Sequence, residues 1–243
     1  MDQGRIRALL QRDPAWSVFA LADLHPSVAQ HCQWHVSGDA VMLVYTGFDP
    51  PILFAQGDAG TLIPQLETPR LSLQVKAETL QQLEKSYRAE SLRAMWRMVL
   101  AAVVTPPTQT ERLYEKDLAE LQALHRDGEA TKEAPEYFMP SLLKQGVFHG
   151  LRIAGELVAA AGTYMVVPEE GVAAIGHVYT RRDQRGRGYG SLVTAAVAAE
   201  LTERGCHVVA LNVEQHNAAA VRVYEKLGFR RHCAFHEGIL VRA

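Results

Sequence analysis

One stretch of this sequence places a strand, a glycine-rich turn, a helix and a second strand in direct succession. The apolar run VAAIGHVYT ends at Thr180, the turn and helix follow, and a second apolar run, HVVALNV, ends at Val213. A crossover through a helix makes its two strands parallel, and the right-handed rule places the start of the helix at their carboxyl ends. Ligands of open α/β sheets bind at that edge. The stretch therefore predicts α/β architecture and one binding edge.

The turn of this unit, RRDQRGRGYGSLV, concentrates arginine and glycine where the helix starts. Glycine allows positive φ and close approach, so successive backbone N–H groups can converge on an anion. The helix dipole adds positive potential at the same point. The pattern suits a pyrophosphate, and a solvated Arg/Gly turn is the alternative.

The spacing of the glycines excludes two other phosphate-binding motifs. They run G-x-G-x-G rather than G-x-G-x-x-G, and the next strand ends in Asn212 and Glu214 without the acidic spacing of a dinucleotide site. A P-loop would need G-K-S or G-K-T, which this turn lacks.

Composition limits the function classes. The 243 residues carry a formal net charge of −2, whereas general nucleic-acid binding needs excess Lys and Arg. Cys32, Cys206 and Cys233 form no metal-ligand spacing, so we expect reduced thiols, no metal site and a cytoplasmic location. The N-terminus lacks the apolar region of a signal peptide, and the longest uncharged apolar run, eleven residues, is too short to span a membrane.

Adjacent prolines in TPPTQT, Thr105 to Thr110, predict a domain boundary because they forbid helix and remove ladder donors. We expect an N-terminal α/β domain of residues 1–105 and a C-terminal domain of residues 110–243. The first should hold helices interrupted at Pro14 and a hairpin of AVMLVYT and PILFAQ. The run LRAMWRMVL should be a strand that places five residues on one side: Leu92, Ala94, Trp96, Met98 and Leu100.

The C-terminal domain is predicted to open with a helix that ends at Gly128 and a short helix that starts at Pro135. Turn residues between VFHGLRI, ELVAAAGTYMVV and VAAIGHVYT predict three antiparallel strands. The remaining predicted elements are a helix from about Gly190 to Arg204, the strand HVVALNV, a helix from Ala218 to Leu227 and a strand pair from Phe229.

Two motifs of this domain together resemble those of the GNAT superfamily of N-acetyltransferases. IGHVYTRRDQRGRGYGSLVTAAV is similar to the family's strand and R-x-x-G-x-G pyrophosphate loop, and NAAAVRVYEKLGF is similar to its second signature. They stand in the family's order, and the resemblance covers residues 111–235. It implies the GNAT acyl-CoA N-acyltransferase fold, built on a mixed α+β sheet, and acetyl-CoA (coenzyme A) as the cofactor.

The resemblance also implies the residues that hold acetyl-CoA: a strand pairing with the pantetheine arm, loop N–H groups on the pyrophosphate, and two residues of the second motif near the thioester. By position these are Val178, Tyr179 and Thr180 for the arm, Arg185, Gly186, Arg187, Gly188, Tyr189, Gly190 and Ser191 for the pyrophosphate, Asn217 for the pantetheine and Tyr224 for the sulfur. A helix N-cap and a core aromatic are the alternatives for Asn217 and Tyr224.

The sequence departs from the family pattern at the catalytic base. Many relatives carry a glutamate on the fourth or fifth strand, where this chain has Ala174 and Asn212. Glu214 and His177 are nearby candidates, because strand alternation puts Glu214 on the side of Asn212 and the ordinary pKa of histidine suits base work. Each of the two could instead be structural, as a carboxylate at the rim of the site or as a hydrogen-bonded polar group in the sheet. An acceptor amine of low pKa would need no dedicated base.

We therefore expect an acetyl-CoA-dependent N-acetyltransferase in which a small-molecule or peptide amine attacks the thioester directly and Tyr224 is the general acid. A non-catalytic acyl-CoA-binding sensor or interaction module is the alternative. The N-terminal domain lacks R-x-x-G-x-G and is compatible with a degenerate copy of the fold. Tyr137, Phe138 and Met139 either wall the acceptor pocket or make the apolar contacts of a short helix.

Overall fold

The computed structural model describes residues 2–102, 105, 107–131, 133–135 and 137–243. The α-helices are α1 (Gln3–Leu10), α2 (Val18–Ala22), α3 (Ala77–Leu83), α4 (Leu118–Arg126), α5 (Leu142–Gln145), α6 (Tyr189–Glu203) and α7 (Ala218–Lys226). The strands are β1 (Cys32–Ser37), β2 (Ala40–Tyr45), β3 (Ile52–Gln56), β4 (Arg70–Val75), β5 (Tyr87–Leu100), β6 (Glu111–Arg112), β7 (His149–Ile153), β8 (Glu156–Val167), β9 (Val172–Thr180), β10 (Val208–Glu214) and β11 (Phe229–Arg242). In the described part of the chain, no helix is long and apolar enough to cross a membrane.

The chain divides into two compact units. Unit 1 comprises Met1–Arg97, Val213–Ala218 and Arg231–Ala243, and unit 2 comprises Met98–Asn212 and Ala219–Arg230. This division differs from the boundary predicted at Thr105–Thr110, of which residue 106 lies outside the described residues. The reason is a non-local strand pairing, because β11, from the end of the chain, pairs with β4 from its first third.

Unit 1 carries a mixed sheet in the strand order β1-β2-β3-β4-β11-β5. The strands β1, β2 and β3 are antiparallel neighbours, so the predicted hairpin of AVMLVYT and PILFAQ is confirmed. The fourth strand, β4, runs parallel to β3 and antiparallel to β11. The predicted break in the first helix is also confirmed, because α1 ends at Leu10 and α2 starts at Val18.

The run LRAMWRMVL is a strand, β5, as predicted, and Met98 of its predicted face is buried. Leu92 of the same face is not buried, and the strand buries a charged residue on its other side. Leu92 is 38% exposed, whereas Arg97 is 1% exposed. The Arg97 guanidinium lies 5.4 Å from the ring centroid of Trp16 and 5.0 Å from that of Phe19, and it donates to the Trp16 carbonyl at 3.3 Å. Aromatic faces and a carbonyl compensate part of the desolvation cost that normally keeps arginine at the surface.

Replacement of Arg97 by alanine should therefore destabilise the protein. The change empties a fully buried position, and large-to-small substitutions of that kind cost about 2–5 kcal/mol in the free energy of unfolding. Urea titration followed by circular dichroism measures the loss. Arg88→Ala, which removes an exposed arginine from the same strand, is the matched control. Equal unfolding midpoints for the two variants would contradict the structural role of Arg97.

Unit 2 carries the predicted crossover. Its strand order is β10-β9-β8-β7-β6, with β7, β8 and β9 antiparallel and β10 parallel to β9, as predicted. The crossover helix α6 is the longest helix of the described residues, and every residue from Val193 to Ala199 is buried. Its alanine-rich sequence permits this, because short side chains let a helix axis approach a sheet closely.

Two element predictions for the C-terminal part are wrong. The short helix expected from Pro135 is instead α5, which starts at Leu142. The strand pair expected from Phe229 is one continuous strand, β11, because its hydrogen-bonding partner is β4 rather than a second strand of its own.

Candidate functional site

The ladder between β9 and β10 stops before either strand ends. Its last paired residues are Ile175 and Leu211, yet β9 continues to Thr180 and β10 to Glu214. Beyond Ile175, the residues of β9 pair only with β8 among the described strands. The side of β9 that faces away from β8 therefore presents unpaired backbone groups, which an extended ligand can bind as an added strand.

A β-bulge interrupts β9 where the two strands separate. Gly176 pairs with Gly162 and Tyr179 with Ala160, so His177 and Val178 together lie opposite the single residue Ala161. The backbone of His177 is left-handed, with φ of 52°. A bulge leaves its extra residue without a ladder partner, and a non-glycine residue at positive φ marks strain that commonly occurs at functional sites.

The start of α6 forms an anion cradle, which we define as residues 185–191. Gly186 and Gly188 have φ of 78° and 81°, and Gly188 is the N-cap of the helix. A Cβ added to either glycine would meet no described atom within 4 Å. No acceptor for the backbone N–H groups of residues 186–191 occurs in the part of the chain that the structure describes. These donors are free for an anion.

The arginines near the cradle are largely neutralised, which the sequence did not indicate. Arg185 donates to both oxygens of Glu133, at 2.9 and 3.2 Å. Arg181 pairs with Asp183 at 2.7 Å. Glu133 is far from Arg185 in the sequence and reaches it only in the folded chain, whereas Asp183 lies two residues from Arg181 in the same turn. The backbone donors and the exposed Arg187 therefore form the part of the cradle without a carboxylate partner among the described residues.

The C-terminal end of α4 is tied to the same region. Asp127 accepts the Tyr179 hydroxyl at 2.8 Å and the Arg182 backbone N–H at 3.0 Å. The hydrogen bond from the Arg182 backbone N–H is the largest cause of the lowered pKa of Asp127. The hydrogen bond from Arg185 lowers the pKa of Glu133 in the same way. Both carboxylates are therefore ionised at neutral pH and hold the segment after α4 against the cradle.

The described structure places Tyr224 on α7 with 9% of its surface exposed. Its ring packs edge-on against Phe229, with centroids 6.1 Å apart. Burial raises the pKa of its hydroxyl to about 12. The phenol is therefore protonated at neutral pH, as an acid must be.

Glu214 and Asn217 lie in unit 1, whereas the other predicted site residues lie in unit 2. The Glu214 carboxylate contacts Arg93 at 3.5 Å and His216 at 3.0 Å. Asn212, the last residue of its unit 2 segment, has a buried Oδ1 atom without a hydrogen-bond partner among the described residues. An amide cannot take up a proton, but Oδ1 can accept a hydrogen bond from an N–H group.

His177 does not have the ordinary pKa that the sequence argument assumed. Its side chain is 2% exposed and packs among the rings of Phe138, Phe148 and Tyr164, at centroid distances of 5.6, 5.7 and 4.5 Å. Burial, followed by the nearby His125, lowers its pKa to about 3. An imidazole with this pKa is a weak base, which argues against proton abstraction by His177.

A cleft of about 460 Å³ opens beside α4, and we call it the α4 cleft. Its lining includes residues of two segments: His125, Arg126 and Glu129, and Pro135, Tyr137 and Phe138. The His125 ring lies 5.2 Å from the Phe138 ring and 6.4 Å from the Tyr179 ring, so the floor of the cleft adjoins β9. Of the three residues considered for a pocket wall in the sequence, Tyr137 and Phe138 belong to the described lining and Met139 does not. The sequence missed His125, whose place in the lining depends on the packing of α4.

The part of the chain that contains most of these features is similar to known proteins. The model of the acetyltransferase (GNAT) family matches residues 110–229. A solved GNAT-family protein from Novosphingobium aromaticivorans has a TM-score of 0.62 and 25% identity, over 95% of this chain and 97% of that chain.

Two curated relatives are similar over shorter stretches. The mycothiol acetyltransferase of Thermobispora bispora is 43% identical over 82 residues, which are 32% of this chain and 28% of that protein. The L-methionine sulfoximine/L-methionine sulfone acetyltransferase of Pseudomonas aeruginosa is 36% identical over 78 residues, 31% of this chain and 45% of that protein. The matches therefore span less than half the length of these relatives.

The cradle makes a prediction for glycine replacement. Gly188→Ala should weaken acetyl-CoA binding at least tenfold in calorimetry, because the new Cβ strains the left-handed backbone and disturbs the convergent N–H groups. Gly205→Ala is the matched control, because Gly205 has φ of 88° and equally open space at the other end of α6. If the two variants bound acetyl-CoA equally well, the anion site would not be at the start of α6.

The pair of Glu133 and Arg185 makes a second prediction. Glu133→Gln removes the carboxylate that neutralises Arg185, so acetyl-CoA should bind up to about fivefold more tightly, since an exposed pair contributes at most about 1 kcal/mol. The gain should disappear in high salt because exposed charges are screened. Glu129→Gln, at an exposed position of the same segment, is the control. Weaker binding by Glu133→Gln would instead show that Glu133 positions Arg185 for the cofactor.

Proposed function

The chain belongs to the acetyltransferase (GNAT) family through residues 110–229, and we propose that it transfers the acetyl group of acetyl-CoA to a primary amine. The family and the predicted mixed α/β fold are confirmed by this match and by the solved structure that covers nearly the whole chain. The observation that carries the finer proposal is that the open side of β9 and the anion cradle lie on consecutive segments of unit 2.

The residues present fit coenzyme A. The N–H groups of residues 186–191 would hold the pyrophosphate, and the space beside Gly186 and Gly188 leaves room for it. The unpaired side of β9, from Val178 to Thr180, would hydrogen-bond the pantetheine arm. Bound acetyl-CoA supplies an activated acetyl group and a thiolate leaving group. Arg187, exposed and adjacent to the glycines, would add one positive charge to the site.

We propose that the bulge at His177 polarises the thioester. The extra residue of the bulge lies where β9 leaves β10, so an unpaired backbone N–H there can donate to a carbonyl oxygen that gains negative charge. The His177 side chain would hold the backbone of the bulge in place, because its ring packs against three aromatic rings. In this assignment His177 fixes the backbone and does not transfer a proton.

We propose Asn212 as the group that orients the amine. It follows the last paired residue of β10, Leu211, and its Oδ1 atom is buried without a partner among the described residues. Buried amide oxygens normally have a donor, and an amine N–H would supply one. Glu214 remains a candidate base, but the carboxylate would have to leave its contacts with Arg93 and His216.

Unit 1 is proposed to be a degenerate copy of the same fold. Its strands β1, β2 and β3 are antiparallel, β4 is parallel to β3, and α3 follows, which is the order of β7, β8, β9, β10 and α7 in unit 2. The connection from β3 to β4 contains the short 3₁₀ helix Ile63–Gln65 where unit 2 has α6. With no glycine cradle on this connection, we expect no second coenzyme site.

The proposed function is tested by release of free thiol from acetyl-CoA in the presence of a panel of amines. Release that depends on an amine, with an acetylated product in the mass spectrum, supports the transfer reaction. Binding of acetyl-CoA without amine-dependent release would support the acyl-CoA sensor instead.

Replacement of Tyr224 by phenylalanine tests the general acid. The hydroxyl would give its proton to the departing sulfur, so kcat should fall by about 10²–10⁴-fold while the affinity for acetyl-CoA changes little. Because the pKa of Tyr224 is about 12, the wild-type enzyme should lose activity through this group only as the pH rises toward 12, where the phenol deprotonates.

The control for this variant is Tyr114→Phe, which removes a hydroxyl from a side chain that is 54% exposed. A Tyr224→Phe enzyme with unchanged kcat would exclude the acid role. A loss of acetyl-CoA affinity at constant kcat would make Tyr224 a binding residue.

A further inference from the structure

The α4 cleft has the dimensions of a small-molecule site. Its volume, about 460 Å³, lies within the range of roughly 300–1,000 Å³ that is usual for pockets that bind such ligands. The cleft is built from one helix, α4, and from residues that precede α5, and its floor adjoins the bulged strand through His125 and Phe138. A ligand in this cleft would lie next to the part of β9 that the proposed function assigns to the thioester.

Among the described residues, the floor of the cleft is apolar except for one histidine. Phe138 packs into the core with Leu121, Leu124 and Phe148, and presents its ring beside His125. The His125 side chain is 6% exposed, and its Nε2 atom is buried with no hydrogen-bond partner among the described residues. Burial lowers the pKa of His125 to about 4, so the ring is neutral at pH 7. A charged ligand group at this depth would lack a counter-charge and pay a large desolvation penalty.

The rim of the cleft is polar, and its charges are balanced among the residues that the structure describes. Arg126 and Glu129 contribute one charge of each sign, and both are exposed. A site for polyamines or lysine-rich peptides would instead concentrate carboxylates, because each ligand cation needs one. Tyr137, 53% exposed at the entrance, offers an aromatic face with a polar tip. The lining therefore favours a ligand that has an apolar body and a short polar end.

We infer that the acceptor is a small-molecule amine with an aromatic or apolar body, and that the α4 cleft binds this body between Tyr137 and Phe138 with His125 as its hydrogen-bond partner. The inference rests on the proposed function and specifies its substrate class. It predicts discrimination against polyamines and peptide lysines.

The test compares acceptors and variants with acetyl-CoA as donor. For the wild-type enzyme, kcat/KM should be at least tenfold higher for 2-phenylethylamine than for spermidine or a lysine peptide, because only the aromatic amine fills the floor without burying charge. In Tyr137→Ala and His125→Phe, the KM for the aromatic amine should rise roughly five- to tenfold, because each removes one contact with the amine. Ile153→Ala, which truncates an exposed side chain of β7 outside the described lining, should leave this KM unchanged.

Two readouts separate this inference from the proposed function. Acetyl-CoA affinity, measured by calorimetry, should be the same in all variants, because none of the three residues belongs to the cradle. A wild-type enzyme that acetylates spermidine or peptides best, or a Tyr137→Ala variant with unchanged KM, overturns the acceptor class while the transferase function stands. Absence of transfer to every amine, with acetyl-CoA still bound, overturns both.

Discussion

The rest of the candidate site depends on the point where the parallel ladder between β9 and β10 ends. Up to Ile175 and Leu211 the two strands satisfy each other's backbone groups. Beyond them, β9 is held only by β8 among the described strands, so its other side has donors and acceptors that need a partner. An extended ligand can supply that partner, and the bulge at His177 turns one residue of β9 out of the regular ladder at the same place.

The cradle at the end of β9 is proposed to bind an anion mainly through its backbone. Arg181, Arg182 and Arg185 would repel one another within five positions if they were left unpaired, and each contacts a carboxylate in the folded chain. These pairs hold the loop in shape, but they also cancel the long-range positive potential that the sequence indicates. What remains are the backbone N–H groups at the N-terminus of α6, which in the proposed site would recognise a phosphate by geometry as well as by charge.

The sequence predicted the elements that depend on local patterns and missed those that depend on distant partners. The crossover and the start of α6 followed from glycine spacing and helix periodicity, and the structure contains both. The inward Arg97 was not predictable, because the carbonyls that it contacts come from residues about 80 positions earlier and one of the rings around it comes from Phe235, near the other end of the chain. The continuous β11 was missed for the same reason, because its partner is β4. In the site, the partners of Arg185 and the low pKa of His177 arise only after folding.

The side chains that the proposal assigns to the reaction in unit 2 are all uncharged at neutral pH. Tyr224 keeps its proton because its pKa is about 12, His177 is neutral because its pKa is about 3, and Asn212 cannot ionise. An ammonium ion would be desolvated among these groups without a counter-charge, whereas a free amine would not. In the proposed reaction the amine therefore enters as the neutral base, and the proton that it sheds after attack passes to solvent or to a carboxylate outside this set. We inferred the same preference for neutral groups in the α4 cleft. On these two proposals one physical property, the cost of burying charge, selects both the reacting end and the body of the acceptor.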